Sequence, residues 1–198
     1  IQKTYSGGEQ FFRCRIAKDG KQFEPKEIGA PPKGKSADGR ANARGIVTLY
    51  LGDTEKTALH ETRTGLYDHV CIGTFELKSP ITVIDFKKIN EISPFQDGII
   101  DDIAELAINK KHLKQIDYEM GRVMRKSDDV LDYLPTQYIA DFVRSIVSEE
   151  YPEQYAFQGI EFRSVMNLEG FNLAIFTPEC FDVIDIKMKR INQISYVW

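Results

Sequence analysis

The run GIVTLYLGDTEKTALHETR (45–63) changes period in the middle, and that change limits the folds open to the chain. Up to Leu51 apolar and polar residues alternate in the two-residue rhythm of a strand. Gly52-Asp53 then breaks the pattern, and the residues after it read as the start of a helix. IVTLYL (46–51) is expected as a strand and residues 54–63 as a short helix. The joint places Glu61 about one turn into that helix, pointing either to solvent or into whatever cleft the strand end forms. Taken alone, Glu is mostly exposed in folded chains, which favours solvent.

The rest of the chain reads as further strands and two longer helices. QFFRCRI (10–16) is a first strand, rich in aromatic and β-favouring residues. Residues 17–45 carry many Gly, Pro and Lys residues and read as a long ordered loop, a feature that is usually functional in a compact domain. HVCIGTFEL (69–77) and ITVIDF (81–86) come next as strands, separated at Ser79-Pro80. IDDIAELAINKKHL (100–113) has helical spacing, with Ile103, Leu106, Ala107 and Leu113 on one face. TQYIADFVRSIVSEE (136–150) is the clearest helix, with Pro135 near its start and Ile139, Phe142, Val143, Ile146 and Val147 as its core stripe. IEFRS (160–164), NLAIF (172–176), FDVIDI (181–186) and INQISYVW (191–198) close the chain as strands. Strands at both ends and helices between them predict an α+β or mixed α/β domain over 1–198, without repeats or a hinge-like linker.

Composition excludes several functions. The 198 residues are 42% hydrophobic, enough for a real core. The net charge of −4, with scattered Lys and Arg, gives no basic field for nucleic acid. No apolar run approaches the ~20 residues of a membrane helix. No charged-then-apolar leader opens the sequence, and Ile1 in place of Met suggests a processed chain or a piece of a longer one. Cys14, Cys71 and Cys180 show no CxxC spacing and are odd in number, so free thiols in a reducing cytoplasm are expected. His60, His69 and His112 lack partners at ligand spacing, so no metal is expected.

No GxGxxG, P-loop or GxSxG elbow is present. What remains is a set of polar residues near strand ends and in the Gly-rich loop: Arg13, Arg40, Asn42, Tyr50, Glu61 and Ser164. Arg13, between Phe12 and Cys14, lies either on the polar face of an edge strand or aims into a cleft to meet an anion. Tyr50 fits a half-buried core position equally well, and a lone Ser164 carries no message.

In their order these pieces do carry one. FFRCRI, then GRANARG-IVTLYLGD-TEKTALHE, then FQGIEFRS-VMNLEGFNLAIF resemble the RES domain family, named for its Arg, Glu and Ser. The resemblance spans roughly residues 10 to 180, and the middle segment 86–135 is longer than in a minimal member. It implies an ADP-ribosyltransferase-like fold of two small mixed β-sheets around a cleft that holds NAD, with flanking helices. Relatives include toxins of toxin–antitoxin pairs that break NAD down, some by phosphorolysis and some by modifying a protein. Position by position, Arg13, Tyr50, Glu61 and Ser164 inherit the pocket, joined by Arg40 and Asn42.

The chemistry asks for these residue types. Nicotinamide leaves from a cationic nitrogen and needs no acid, so one carboxylate suffices where glycosidases use two. Glu61 would steady the ribosyl cation from the first turn of its helix. Arg13 would pair with the pyrophosphate, Tyr50 offer a stacking face, and Ser164 orient Glu61 or the ribose. The expectation is an NAD-consuming enzyme that passes ADP-ribose to inorganic phosphate or water, partnered by a cognate antitoxin. A mono-ADP-ribosyltransferase with a protein acceptor shares the same donor pocket. A non-catalytic interaction domain predicts loss of Arg13 or Glu61, and both are present.

Overall fold

A computed structural model describes residues 1–91, 103–122, 130–149, 151 and 154–195. Among the described residues there are eight strands: β1 (Gln2–Tyr5), β2 (Gln10–Ile16), β3 (Leu49–Gly52), β4 (His69–Leu77), β5 (Ile81–Asp85), β6 (Gly159–Arg163), β7 (Phe171–Ile175) and β8 (Phe181–Arg190). The helices are α1 (Pro25–Ile28), α2 (Glu55–Thr62), α3 (Ile103–Gly121) and α4 (Leu134–Ser145). The α+β class expected from the sequence is the one observed.

The strands form one mixed sheet in the order β1-β5-β6-β7-β3-β2-β4-β8, not the two small sheets expected. The reason is a narrow joint. β2 and β3 share a single register pair, Phe12↔Gly52, which links β1-β5-β6-β7-β3 to β2-β4-β8. Among the described strands only β5 and β6 run parallel.

Alternation along the strands supplies a core on each face. Leu49 and Leu51 of β3 and Leu173 and Ile175 of β7 pack with Tyr5, Phe11, Ile28 and Phe75 on one side. Ala174 turns to the other, with Ile160, Phe162, Met120 of α3, and Ala140 and Val143 of α4. Burying each large aliphatic side chain contributes about 1.5–3 kcal/mol, so the strand pattern fixes which face each residue takes.

Several elements differ from the sequence expectation. α4 ends at Ser145, leaving Ile146 and Val147 beyond it, and Phe142 is 61% exposed. Its buried residues are Thr136, Gln137, Ala140 and Val143. Polar contacts set this rotation, since the Gln137 amide donates to the carbonyls of Gly39 (3.1 Å) and Asn42 (3.0 Å). Residue 150, the expected helix end, lies outside the described residues.

The helix expected over 100–113 is α3. It runs on to Gly121 because Ile116 and Met120 continue its packed face. Its expected start at 100–102 and the side chains of Ile103, Leu106, Ala107 and Leu113 lie outside what is described. β8 extends to Arg190 through pairing with His69, and residues 191–195 form no strand. The expected strand's last residues, 196–198, lie outside the described residues.

β1 carries no apolar alternation and has no sequence signal. It is recruited by β5 and by a buried carboxylate of β6. Glu161 is fully buried and accepts a hydrogen bond from the Tyr5 hydroxyl. It also pairs with Lys3 (3.1 Å) and with Lys87. Both ammonium groups stand over the Phe171 ring, at 4.9 and 4.1 Å from its centre. Burial, and then Glu161, pushes the Tyr5 phenol and the Asp85 carboxyl up.

Cys14, Cys71 and Cys180 are all free. Among the described residues no helix is long and apolar enough to cross a membrane.

Candidate active site

A cleft of about 610 Å³ opens beside the joint between β2 and β3, within the usual size range of small-molecule sites. Helix α2 bridges that joint. On the β3 side, a Cβ added at Gly52 would lie 2.9 Å from the Ala58 nitrogen and 3.2 Å from Thr57 Cβ, so only glycine admits the helix this closely. On the β2 side, the Thr62 hydroxyl donates to the Cys14 carbonyl at 3.2 Å. Thr54 caps the helix, accepting from the Thr57 N–H at 3.1 Å.

Glu61 therefore sits in the last turn of α2 rather than the first. The partial negative charge of a helix C-terminus disfavours a carboxylate there. Two donors offset this. Glu61 Oε1 accepts from Ser164 Oγ at 2.6 Å and from Asn172 Nδ2 at 2.8 Å. Ser164 Oγ in turn accepts from the N–H groups of Asn167 (3.0 Å) and Met166 (3.3 Å), which directs its proton at the carboxylate. Ser164 is buried directly behind Glu61, at 2% exposure, with its hydroxyl engaged by that carboxylate.

Arg13 reaches from β2 to the Tyr50 carbonyl of β3 at 3.2 Å, on the cleft wall. Its Nε is buried without a partner, and no carboxylate pairs with it among the described residues. Burial first, and neighbouring Arg15 second, lower it to about 10, so it stays charged at neutral pH.

Tyr50 lines the same wall. Its hydroxyl donates to Asn42 Oδ1 (2.7 Å) and accepts from the Ala41 N–H (2.9 Å), and burial pushes the phenol up. Asn42 is buried beneath it, its amide spent on the carbonyls of Ala37 and Ala43, and does not reach the wall. Arg40 lines the cleft, but its guanidinium donates to the carbonyls of Glu119 (3.1 Å), Met120 and Arg122 (2.7 Å) at the end of α3. A cation there completes the helix terminus. Burial lowers Arg40, and the Glu61 charge is the largest influence opposing that.

Arg13, Arg40, Tyr50 and Glu61 thus share the cleft wall, Ser164 stands behind Glu61, and Asn42 stands under Tyr50. Sequence reasoning did not single out Asn172, Tyr133 or Phe162, which also line the cleft. Asn172 had a readable signal: with Leu173 in the core, alternation turns it to the opposite face beside Ala174. Register then aligns it with Gly52 on one side and Phe162 on the other.

A family model for the RES domain matches residues 11–198. Comparison with curated proteins finds no match to the chain. With all but ten residues of the sequence matched to that one domain, this chain belongs to the RES domain family.

Proposed function

We propose that the cleft takes NAD as substrate, breaks the nicotinamide–ribose bond and passes ADP-ribose to phosphate or water. The observation that carries this reading is a carboxylate, Glu61, anchored through one oxygen on the same wall as Arg13, a cation with no acidic partner among the described residues. In the reaction, the C–N bond pair leaves with neutral nicotinamide and a cation develops on the ribose. Glu61 stabilises that charge with a carboxylate already held in place where the cation forms. Arg13 offers a planar fork to the pyrophosphate, and Tyr50 and Tyr133 offer ring faces. An oxygen of phosphate or water then attacks the ribose carbon; with water, the surplus proton passes to solvent. The family's place in toxin–antitoxin systems supports a cognate antitoxin as partner.

Incubation with NAD, with and without phosphate, tests the reading. Nicotinamide should be released in both, with a phosphorylated ADP-ribose formed only when phosphate is present. Transfer of label from NAD to protein alone would favour a protein acceptor. No release of nicotinamide would refute the proposal.

Arg13→Ala should weaken NAD binding about ten- to hundredfold, the size of a lost charge-assisted bond. Calorimetry in a Glu61→Gln background, where turnover is slow, measures this. An equal affinity in a variant whose melting curve shows it folded would remove Arg13 from the phosphate site.

A further inference from the structure

The two donors that hold Glu61 meet on one oxygen. Ser164 Oγ, just past the end of β6, and Asn172 Nδ2, near the start of β7, both bond Oε1, at 2.6 and 2.8 Å. Among the described residues nothing bonds Oε2. An ionised carboxylate has two acceptor oxygens, so saturating one selects the other for the substrate.

The two donors are not equivalent. Ser164 is locked by the backbone of its own turn, through Met166 and Asn167. Asn172 lies in the sheet itself, in register with Gly52 and Phe162, and is 8% exposed on the cleft wall. Because Gly52 has no side chain, the Asn172 amide meets the last turn of α2 directly. Arg40 lines the same cleft, and the Glu61 charge favours its protonated form. A Glu61 released from Asn172 would gain by turning towards that guanidinium, and the charge meant for the ribose would be neutralised.

We infer that Asn172 is a positioning residue: with Ser164 it fixes Oε1 of Glu61, holds the carboxylate off Arg40 and presents Oε2 to the substrate. The catalytic part of this inference rests on the proposed NAD chemistry, whereas the orientation of Glu61 does not.

Asn172→Leu removes the donor at similar volume. It should lower kcat for nicotinamide release about ten- to hundredfold with KM for NAD changed less than about threefold, the pattern of an interaction expressed in the transition state. Asn172→Gln, which restores an amide donor, should recover part of the loss. In a Glu61→Gln background, Asn172→Leu should have almost no further effect, because Asn172 acts through Glu61. Wild-type kcat in Asn172→Leu, or an equal loss in both backgrounds, would overturn the inference. If Asn172→Leu does not fold, Asn172→Ala reads the same step. If the wild-type protein releases no nicotinamide, the functional reading fails by itself, and a crystal structure of the Asn172 variant decides the positioning. Glu61 turned towards Arg40 supports it; Glu61 unmoved on Ser164 refutes it.

Discussion

Glu61→Gln is expected to cut nicotinamide release at saturating NAD by about a hundredfold or more while NAD affinity changes little. Glutamine keeps the size of the side chain and an oxygen that can still accept from Ser164 and Asn172. With that oxygen held, the amide NH₂ takes the place of Oε2 and presents a partial positive charge where a cation must form. The ground state, whose ribose carries far less charge, is affected less, so the loss appears in turnover. Little stability should be lost, because both hydrogen bonds survive and the native carboxylate sits against the negative end of α2. A solvent-facing glutamate would behave otherwise: turnover of its Gln variant would stay within about twofold, as surface substitutions usually do little. Rates from both purified proteins decide between the two, and near-normal release from the variant would remove Glu61 from the chemistry.

Glu161→Ala should give the largest loss of stability, about 3 kcal/mol. For a chain of this size that is about 6–12 °C in Tm. The substitution leaves Lys3 and Lys87 without their shared carboxylate and Tyr5 without its acceptor, and it opens a hole behind β6. Two effects moderate the cost. Both lysines are roughly a quarter exposed, at 29% and 27%, and can turn to water. Asp85, pushed up by burial and then by Glu161, ionises more readily once Glu161 is gone. Calorimetric melting of the two proteins measures the difference, and a Tm within about 2 °C of wild type would mean that β1 is held by backbone pairing alone.

The two glutamates illustrate what the sequence reveals. β2, β4 and β5 were legible because their alternation or apolar runs end at Gly, Pro or Asp, and β3 was legible in its second half, residues 46–48 of the expected strand lying outside it. That Arg13, Tyr50 and Glu61 share one pocket was implied by the resemblance to the RES domain family, since their local patterns left each of them open to another reading. The union of the halves into one sheet was not legible, since it depends on one pair, Phe12↔Gly52, and no local pattern encodes a single contact. The rotation of α4 was hidden for a related reason. Its apolar stripe was visible, but Gln137 bonds residues almost a hundred positions earlier in the chain. Glu161 looked like an ordinary polar strand position, and its three partners come from β1 and the turn after β5. Arg40 and Asn42 were found as residues of interest, yet the structure engages them in holding the loop that carries them.

That loop has a consequence for the order in which the protein assembles. Its anchors are distant in sequence: Arg40 waits for the end of α3, and the Gly39 and Asn42 carbonyls wait for Gln137 of α4. Contacts that close long loops form later than local ones, because the entropy of closure must be met before they gain anything. The wall bearing Tyr50 is thus expected to set only after both helices have docked. In refolding from denaturant, NAD binding should return after most of the circular dichroism signal, and simultaneous recovery of the two would contradict this order. A chain still emerging from the ribosome would carry β1 to β5 before either helix had appeared, and its cleft would stay unformed until α3, α4 and the strands after them had followed.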